Sequence, residues 1–493
     1  MTLSDTVIVV LAAGKGARLK SGTAKVLHKV GGYSLLDHIL RACEPLHAQG
    51  TIVVVGHQAE QVLAVAEAWG ARPVLQEPQN GTGHALLVAM EAIPAGAARV
   101  LVVAGDAALV QTATLQALVE SQKQSVAAAA ILTAKLENPI GYGRIVRGAS
   151  DVVESIVEEK SASAEQRAIR EVNSSIYCFD LATLGPCLEQ IRPDNAHKEI
   201  YLTDVIGLLR AQGHRVVAKC VDDTREILGC NTRAELAEVD SIFRQRKAAS
   251  LMEGGVTLYL PETILIDADV EAGPDTVIQP GVQLLGRTRI GARCVIGAGC
   301  VLLDADVAND VEIKPHSLVL NSRLAEGTAV GPFAHVRDGA ELRSRARVGN
   351  FVEVKKSAIG EGTKAMHLTY IGDATVGAGT NIGAGMITCN YDGVRKNTTI
   401  IGDHVFIGSG TELIAPVRIG DGAYVAAGST ITGDVPAGSL AIARGRQVNK
   451  IGWVSARRDA AQDESAAPAG TKQLDSPGKR RARRTHKSPR KRR

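Results

Sequence analysis

The sequence predicts three folded parts in order. A Rossmann-like, mostly parallel α/β sheet spans residues 1–231, a linker helix 232–254, and a parallel β-helix of six-residue repeats 255–456. Three observations predict them. Short apolar runs alternate with helix-like segments up to about residue 230. One capped, charged helical pattern follows. Beyond Gly255 an aliphatic residue recurs at every sixth position. A basic stretch, 457–493, makes up the rest of 493 residues, too many for one ordinary core.

In the first part, "TVIVVLAAG" (6–14), "TIVVVGH" (51–57), "ARVLVVAGD" (98–106), "VAAAAILTAKL" (126–136) and "RVVAKCV" (215–221) read as strands. "SLLDHILRACEPLHAQG" (34–50) and "EQVLAVAEAWG" (60–70) read as helices, with apolar residues at three- and four-residue steps. Such alternation predicts a sheet covered on both faces, with ligands beyond the carboxyl ends of its strands. Residues 232–252 read as one helix. Thr232 and Glu235 have the spacing of a capping box, and Gly254-Gly255 supplies the stop.

The repeat is clearest over 401–436, IGDHVF-IGSGTE-LIAPVR-IGDGAY-VAAGST-ITGDVP. Ile401, Ile407, Leu413, Ile419, Val425 and Ile431 head the six units. Val405, Thr411, Val417, Ala423, Ser429 and Val435 follow four places on, all small or β-branched. The step also runs through 290–307 and 376–387. Three such units make one triangular coil, with the aliphatic residue inside and glycine at the turn, and coils stack on one another.

Composition narrows the class. Apolar residues are 45% and charged residues 22%, as in globular proteins. The net charge of +4 misleads, because Lys479–Arg493 holds ten basic residues and no acid; without it the balance is −6. The eight cysteines show no zinc-type spacing and suit a reducing compartment. No secretory leader and no membrane-length apolar run is seen, so a cytoplasmic protein without a membrane partner is expected. From Arg457 onward the Ala, Ser, Pro, Gly and charged composition predicts disorder. The basic end carries the charge for unspecific contact with nucleic acid or anionic lipid, against the plainer reading of a solvated extension.

The stretch "LAAGKGARLKSGTAKVLH" (11–28) directly follows a strand. Its glycines let backbone N–H groups approach an anion. Leu19 stands where a dinucleotide fingerprint needs its third glycine, and no GK[ST] follows as in a P-loop. Arg18 and Lys25 flank the loop instead. Two flexible cations around a glycine turn suit a triphosphate attacked at its α-phosphorus. A plain strand–helix turn with surface cations is the alternative.

This stretch resembles the sugar-nucleotide pyrophosphorylases, with their L-x-A-G-x-G-x-R-(L/M)…P-K. So do "QEPQNGTGHAL" (76–86), "VVAGDAALV" (102–110), "GYGRIV" (141–146), "IVEEK" (156–160), "EVNSSIY" (171–177) and "GCNTR" (229–233). With the repeats added, residues 5 to about 453 resemble one bacterial family. Its members are bifunctional N-acetylglucosamine-1-phosphate uridylyltransferases and glucosamine-1-phosphate N-acetyltransferases, with a left-handed β-helix. The resemblance implies UDP-N-acetylglucosamine synthesis from glucosamine-1-phosphate, acetyl-CoA and UTP, through N-acetylglucosamine-1-phosphate. It implies that Leu11, Ala12, Ala13 and Gly14 contact the nucleotide, with Arg18 at the loop and Lys25 on the phosphates. Gln76, Gly81 and Thr82 would read the uracil. Asp106 and Asn231 would hold Mg2+. Gly143, Glu158 and Asn173 would bind the sugar.

The block "VRDGAELRSRARVGNFVEVKKSAIGEGTKAMHLTYIGDATVGAGTNIGAGMITCNYDGVRKN" (336–397) interrupts the repeat with polar residues that a purely structural coil does not need. By the resemblance, His367 is the general base for acetyl transfer. A histidine suits this, since its ordinary pKa lies near working pH. Arg337, Lys355, Tyr370 and Asn381 would hold glucosamine-1-phosphate. Ala384, Asn390, Tyr391, Ser409, Ala427 and Arg444 would contact acetyl-CoA, with Lys396 a further candidate on that side. One coil offers only a flat wall, so the homotrimer that the resemblance implies would complete the pocket.

Four positions depart from the family pattern: Ala24 and Ala108 for proline, Ser174-Ser175 for Thr-Gly, and Met366 for a small residue before His367. None removes a charged or metal-binding group. Met366 is expected to crowd the base, and both activities are expected to survive. Two other readings stay open: a single-activity pyrophosphorylase on a structural β-helix, and a non-catalytic scaffold driven by the basic tail.

Overall fold

A computed structural model describes residues 2–148, 152–192 and 199–466. Nine strands form the first sheet: β1 (Thr6–Leu11), β2 (Gly50–Val55), β3 (Arg72–Leu75), β4 (Arg99–Ala104), β5 (Ala129–Lys135), β6 (Arg144–Arg147), β7 (Val153–Val157), β8 (Glu171–Asp180) and β9 (Val216–Cys220). The main order is β9-β5-β8-β4-β1-β2-β3, with β6 on β8 and β7 on β6. β4, β1, β2 and β3 are parallel. β8 runs antiparallel to both β4 and β5, so the sheet is mixed where the sequence predicts mostly parallel pairing.

The continuous apolar runs are explained by cover on both faces. Successive residues of β1 alternate between two cores, Val7 and Val9 in one, Ile8 and Val10 in the other. The predicted helix after Ser34 is shorter than its pattern. It runs Leu35–Cys43, capped by the reciprocal Ser34–Asp37 bonds, and yields to a 3-10 turn at Glu44–Leu46 that contains Pro45.

The long helix Arg233–Glu253 matches its predicted span. Thr232 Oγ1 accepts from Glu235 N at 3.2 Å, but Glu235 reaches back to Asn231 N (2.6 Å). Midway, Asp240 accepts from Gly31 N at 2.8 Å, and Arg246 donates to Asp223 and Leu109 O, each at 2.8 Å. Near its end, Ala248 and Leu251 join the β-helix core.

The named strands of the β-helix all pair in parallel, coil on coil. Partners lie one coil apart, as Ile278 with Ile296 and Val301 with Leu318. The six aliphatic residues from Ile401 to Ile431 are all buried in one core. Buried hydroxyls beside them are matched by carbonyls: Thr380 donates to Gly402 O at 2.9 Å, Thr411 to Gly408 O and Ser429 to Ala426 O at 2.6 Å. One coil is longer, so Ala374 pairs with Thr399. The added residues form a loop closed by an antiparallel bridge between Tyr391 and Lys396.

The described residues up to Ala443 form one compact unit, and those from Arg444 onward belong to a second. The disorder expected from Arg457 is corrected at its start: a helix runs Trp453–Ala466, with Arg457 over the Trp453 ring at 5.1 Å. Its Ala, Arg, Gln and Glu residues favour helix without needing a core. The basic residues Lys479–Arg493 lie outside the described residues.

Candidate active sites

The first site lies at the carboxyl ends of β1, β2 and β4. Leu11–Ala13 is threaded between neighbours. Ala12 N donates to Val54 O (2.9 Å), His57 N to Ala13 O (3.2 Å) and Gly105 N to Leu11 O (3.0 Å). Gly14 and Arg18 beyond it are exposed. Gly16 has φ 60°, and a Cβ there would sit 2.6 Å from Lys25 Cβ. Glycine therefore lets the loop close down on the lysine.

Lys25 is the hub. Its Nζ lies 2.5 Å from Asp106 Oδ2, just past β4, and 2.8 Å from Asn231 Oδ1, just before the long helix. Three segments distant in sequence thus converge on one point. Ala108 packs beneath with Val30, Leu35, Leu109, Cys230 and Val239. Burial, reinforced by Asp106, pushes the Cys230 thiol up to about 12. Ala24 is buried, with φ −53° and ψ 140°, a conformation open to proline.

Further along the strand ends, buried Gln76 donates from Nε2 to Gly81 O at 2.9 Å and contacts His84 Nδ1 at 3.1 Å. Gly81 and Thr82 open the helix Thr82–Met90. Thr82 Oγ1 accepts from Leu202 N at 3.0 Å. That anchors Leu202-Thr203, and Thr203 donates to Glu158 Oε1 at 3.3 Å. Gly143 stands beside Glu158 and Asn173: a Cβ on it would lie 3.7 Å from Glu158 Oε1 and 3.6 Å from Asn173 Cβ. Asn173 Nδ2 donates to the Tyr177 hydroxyl at 2.7 Å. Burial raises the Glu158 carboxyl above its ordinary range; Thr203 opposes this and Asp204 adds to it. Sequence reasoning missed Thr203 and Tyr177: Tyr177 closes the quoted "EVNSSIY" without being singled out, and Thr203 lies far from every quoted motif.

The second site follows one corner of the β-helix. Asn350 and His367 are register partners on adjacent coils, and His367 Nδ1 lies 2.9 Å from Asn350 Oδ1. Ala384, Ser409 and Ala427 take the same corner position on the next three coils. Each of these five directly precedes a residue with positive φ: Phe351, Leu368, Gly385, Gly410 and Gly428. His367 and three acetyl-CoA candidates therefore form one column.

On the face beside that corner, Arg337 pairs in register with Lys355, and Glu353 with Tyr370. Arg337 donates to Glu353 at 2.7 Å. Lys355 Nζ lies 3.9 Å from Asp373 Oδ2, and Asn390 Nδ2 donates to Asp373 at 2.5 Å and to the Tyr370 hydroxyl at 3.4 Å. The loop brings Lys396 back onto Lys355, whose contact and charge lower the Lys396 pKa. Lys396 thus stands with the sugar-phosphate candidates, whereas the sequence placed it on the acetyl-CoA side. Asn390 joins the same group. Tyr391 is exposed, with its hydroxyl on Gly393 O at 2.7 Å. Asn381 belongs to the other face of the corner, in register with Lys364 and Phe406. One chain does not bring it to Arg337, Lys355 and Tyr370. Arg444 opens the second unit.

Met366 does not displace its neighbour. It lines a groove of about 240 Å³ with Glu312, Lys314 and Arg347, while His367 keeps its bond to Asn350. Successive strand residues point to opposite sides, which separates the two. Ser174 Oγ donates to Leu132 O at 2.7 Å, and Ser175 sits at φ 63° where the register of β8 shifts. Among the described residues no cluster of three or more His, Cys, Asp or Glu could hold a metal. No helix there is long and apolar enough to cross a membrane.

The MobA-like NTP transferase domain matches residues 8–174, and the bacterial transferase hexapeptide of six repeats matches 273–304 and 398–433. The chain is 46% identical over 455 residues to "Bifunctional protein GlmU" of Koribacter versatilis, covering 92% of this chain and 97% of that one. The protein of the same name from Trichlorobacter lovleyi is 47% identical, covering 92% and 98%. That of Streptomyces griseus is 45% identical, covering 96% and 98%.

Fold, sites and matched domains define a bifunctional transferase, a nucleotidyltransferase joined to a hexapeptide-repeat acyltransferase. More particularly, the chain belongs to the GlmU family of bifunctional proteins, whose uridylyltransferase and acetyltransferase activities make UDP-N-acetylglucosamine.

Proposed function

We propose that the β-helix acetylates glucosamine-1-phosphate with acetyl-CoA, and that the sheet domain then transfers UMP from UTP to the N-acetylglucosamine-1-phosphate formed. The observation that carries the second step is the convergence of Asp106 and Asn231 on the Lys25 ammonium. It marks a place where two hard oxygens face a cation. Mg2+ fits that donor set, because it takes one or two protein oxygens and fills its shell with phosphate and water. When bound, the ion would offset charge on the α-phosphate and the leaving pyrophosphate. Lys25 serves the same charge, with Arg18 at the loop mouth. The sugar-phosphate oxygen bonds to the α-phosphorus as the bond to the β-phosphate oxygen breaks. Gly143, Glu158 and Asn173 position the sugar, and Leu11–Gly14, Gln76, Gly81 and Thr82 the nucleotide. Positioning matters more here than a base, since the attacking phosphate is already a nucleophile.

At the second site, His367 takes a proton from the 2-amino group as its nitrogen bonds to the acetyl carbonyl. The thioester C–S bond breaks, and the proton passes to the departing sulfur. Arg337, Lys355 and Lys396 hold the phosphate, with Tyr370 and Asn390 beside them. Ala384, Ser409 and Ala427 line the acetyl-CoA wall, and Tyr391 extends it. Asn381 reaches the sugar from a neighbouring copy, which is one argument for a homotrimer. Another is the exposed ridge of Phe333, Phe351 and Leu368. We place the protein in the cytoplasm, with no membrane partner. The charge of the basic end supports unspecific nucleic-acid contact at most.

The test is UTP-dependent pyrophosphate release with Mg2+ and N-acetylglucosamine-1-phosphate. Asp106→Ala is expected to abolish it and leave CoA release intact. Equal release by the variant would contradict the reading, and so would a chain with no UTP turnover at all.

A further inference from the structure

The corner position occupied by His367 recurs in nine coils. Below it stand Pro280, Ala298, Pro315, Pro332 and Asn350; above it, Ala384, Ser409 and Ala427. Each precedes a residue of positive φ, from Gly281 through His316 and Phe333 to Gly428. Proline or alanine makes the turn in six of these coils, so the turn itself asks for no hydrogen-bonding side chain. Asn350 is the exception directly beneath His367, and its Oδ1 meets His367 Nδ1 at 2.9 Å.

We propose that Asn350 is a positioning residue for acetyl transfer, holding His367 in the tautomer with its proton on Nδ1. This rests on the reading of His367 as the base. An amide oxygen only accepts, so the ring nitrogen facing it donates. Nε2 then carries the lone pair that takes the amine proton. The bond also fixes the ring plane, because Asn350 stands on a strand paired residue by residue with that of His367, from Arg347 with Lys364 to Lys355 with Gly372.

The surroundings leave this task to Asn350. The coil above offers Gly383–Met386, with no titratable side chain. On the paired strands the charges sit elsewhere. Arg347 and Lys364 are register partners of each other, Glu353 partners Tyr370, and Lys355 partners Gly372. A neutral amide orients the imidazole without adding the negative charge that a carboxylate would bring.

The experiment measures acetyl transfer by the full chain from pH 5.5 to 9, varying glucosamine-1-phosphate and acetyl-CoA separately. Wild type, Asn350→Ala, Asn350→Asp and His367→Ala are compared. For Asn350→Ala, kcat should fall about 10- to 100-fold, part of the 10²–10⁴ that a general base supplies, with both KM values within about twofold of wild type. Asn350→Asp should recover most of kcat, with the acid limb of its pH profile moved upward by the added charge. Uridylyl transfer and thermal melting, unchanged in both variants, show that the chain is folded. An Asn350→Ala enzyme with wild-type kcat overturns the proposal. So does a loss carried by KM alone, or an Asn350→Asp profile with its acid limb unmoved. If wild type itself releases CoA no faster than His367→Ala, the reading of His367 fails instead, a result distinct from a silent Asn350 in an active enzyme.

Discussion

The Lys25 ammonium lies 2.5 Å from Asp106 and 2.8 Å from Asn231, so one lysine ties the glycine loop to a strand end and to the foot of the long helix. The pair is only 17% and 18% exposed, so removing the lysine leaves a carboxylate poorly solvated. Lys25→Ala is expected to lower uridylyl transfer by about 10²–10³-fold, the usual cost of losing one preorganised charge stabiliser. Acetyl transfer should be unchanged. Parallel assays of pyrophosphate and CoA release check both halves.

Ser175 holds φ 63°, a conformation that costs a residue with a Cβ about 1–2 kcal/mol. Glycine adopts it freely but loses roughly 0.5–1 kcal/mol through its looser unfolded state. Ser175→Gly should therefore raise stability by up to about 1 kcal/mol. The urea midpoint of the first unfolding transition reads it, and a lowered midpoint would show that the serine side chain contributes more than the backbone strain removes.

Glu158 has a folded-state pKa raised above 4.5, chiefly by burial. The native state thus holds its proton more tightly than the unfolded chain. Its contribution is fully present below pH 4.5 and is lost as pH rises through the folded pKa. Glu158→Gln should flatten stability across that window. The variant should match wild type near pH 4 and exceed it near pH 7, while N-acetylglucosamine-1-phosphate binding weakens. Urea midpoints over pH 4–8 make the comparison, and a variant whose stability relative to wild type falls from acid to neutral pH would reverse the sign.

Phe333 and Phe351 stack with centroids 5.6 Å apart, and each is more than half exposed at positive φ. Leu368 extends the ridge. Apolar side chains in strained, open positions mark a covered surface. Phe333→Ser with Phe351→Ser should shift the proposed trimer toward monomer in analytical ultracentrifugation. Acetyl transfer should fall with it and uridylyl transfer should persist.

The legible parts were those with a short period. Ile401 to Ile431 repeat every sixth residue, so the β-helix phase could be read directly. The runs of β1, β2 and β4 stood out because two cores cover them. β3, β6 and β7 are short and partly exposed, and no apolar run announced them. The direction of β8 depends on its connection rather than its composition. The Asn350–His367 bond crosses a whole coil, a distance no local window spans. The approach of Lys396 to Lys355 was hidden for a related reason: its loop folds back through the Tyr391–Lys396 bridge. Met366 was expected to crowd His367, but the groove takes it; Ala24, where the family pattern has proline, already holds a proline-like φ.

The central claim is that two separate sites on one chain act in sequence. Phosphorus NMR of the full chain with glucosamine-1-phosphate, acetyl-CoA, UTP and Mg2+ tests it most directly. N-acetylglucosamine-1-phosphate should rise and then give way to UDP-N-acetylglucosamine and pyrophosphate. Asp106→Ala should stop at the acetylated sugar phosphate, and His367→Ala should leave glucosamine-1-phosphate unconsumed. A UDP-sugar formed at the same rate without acetyl-CoA, or an undiminished product from either variant, would contradict the account.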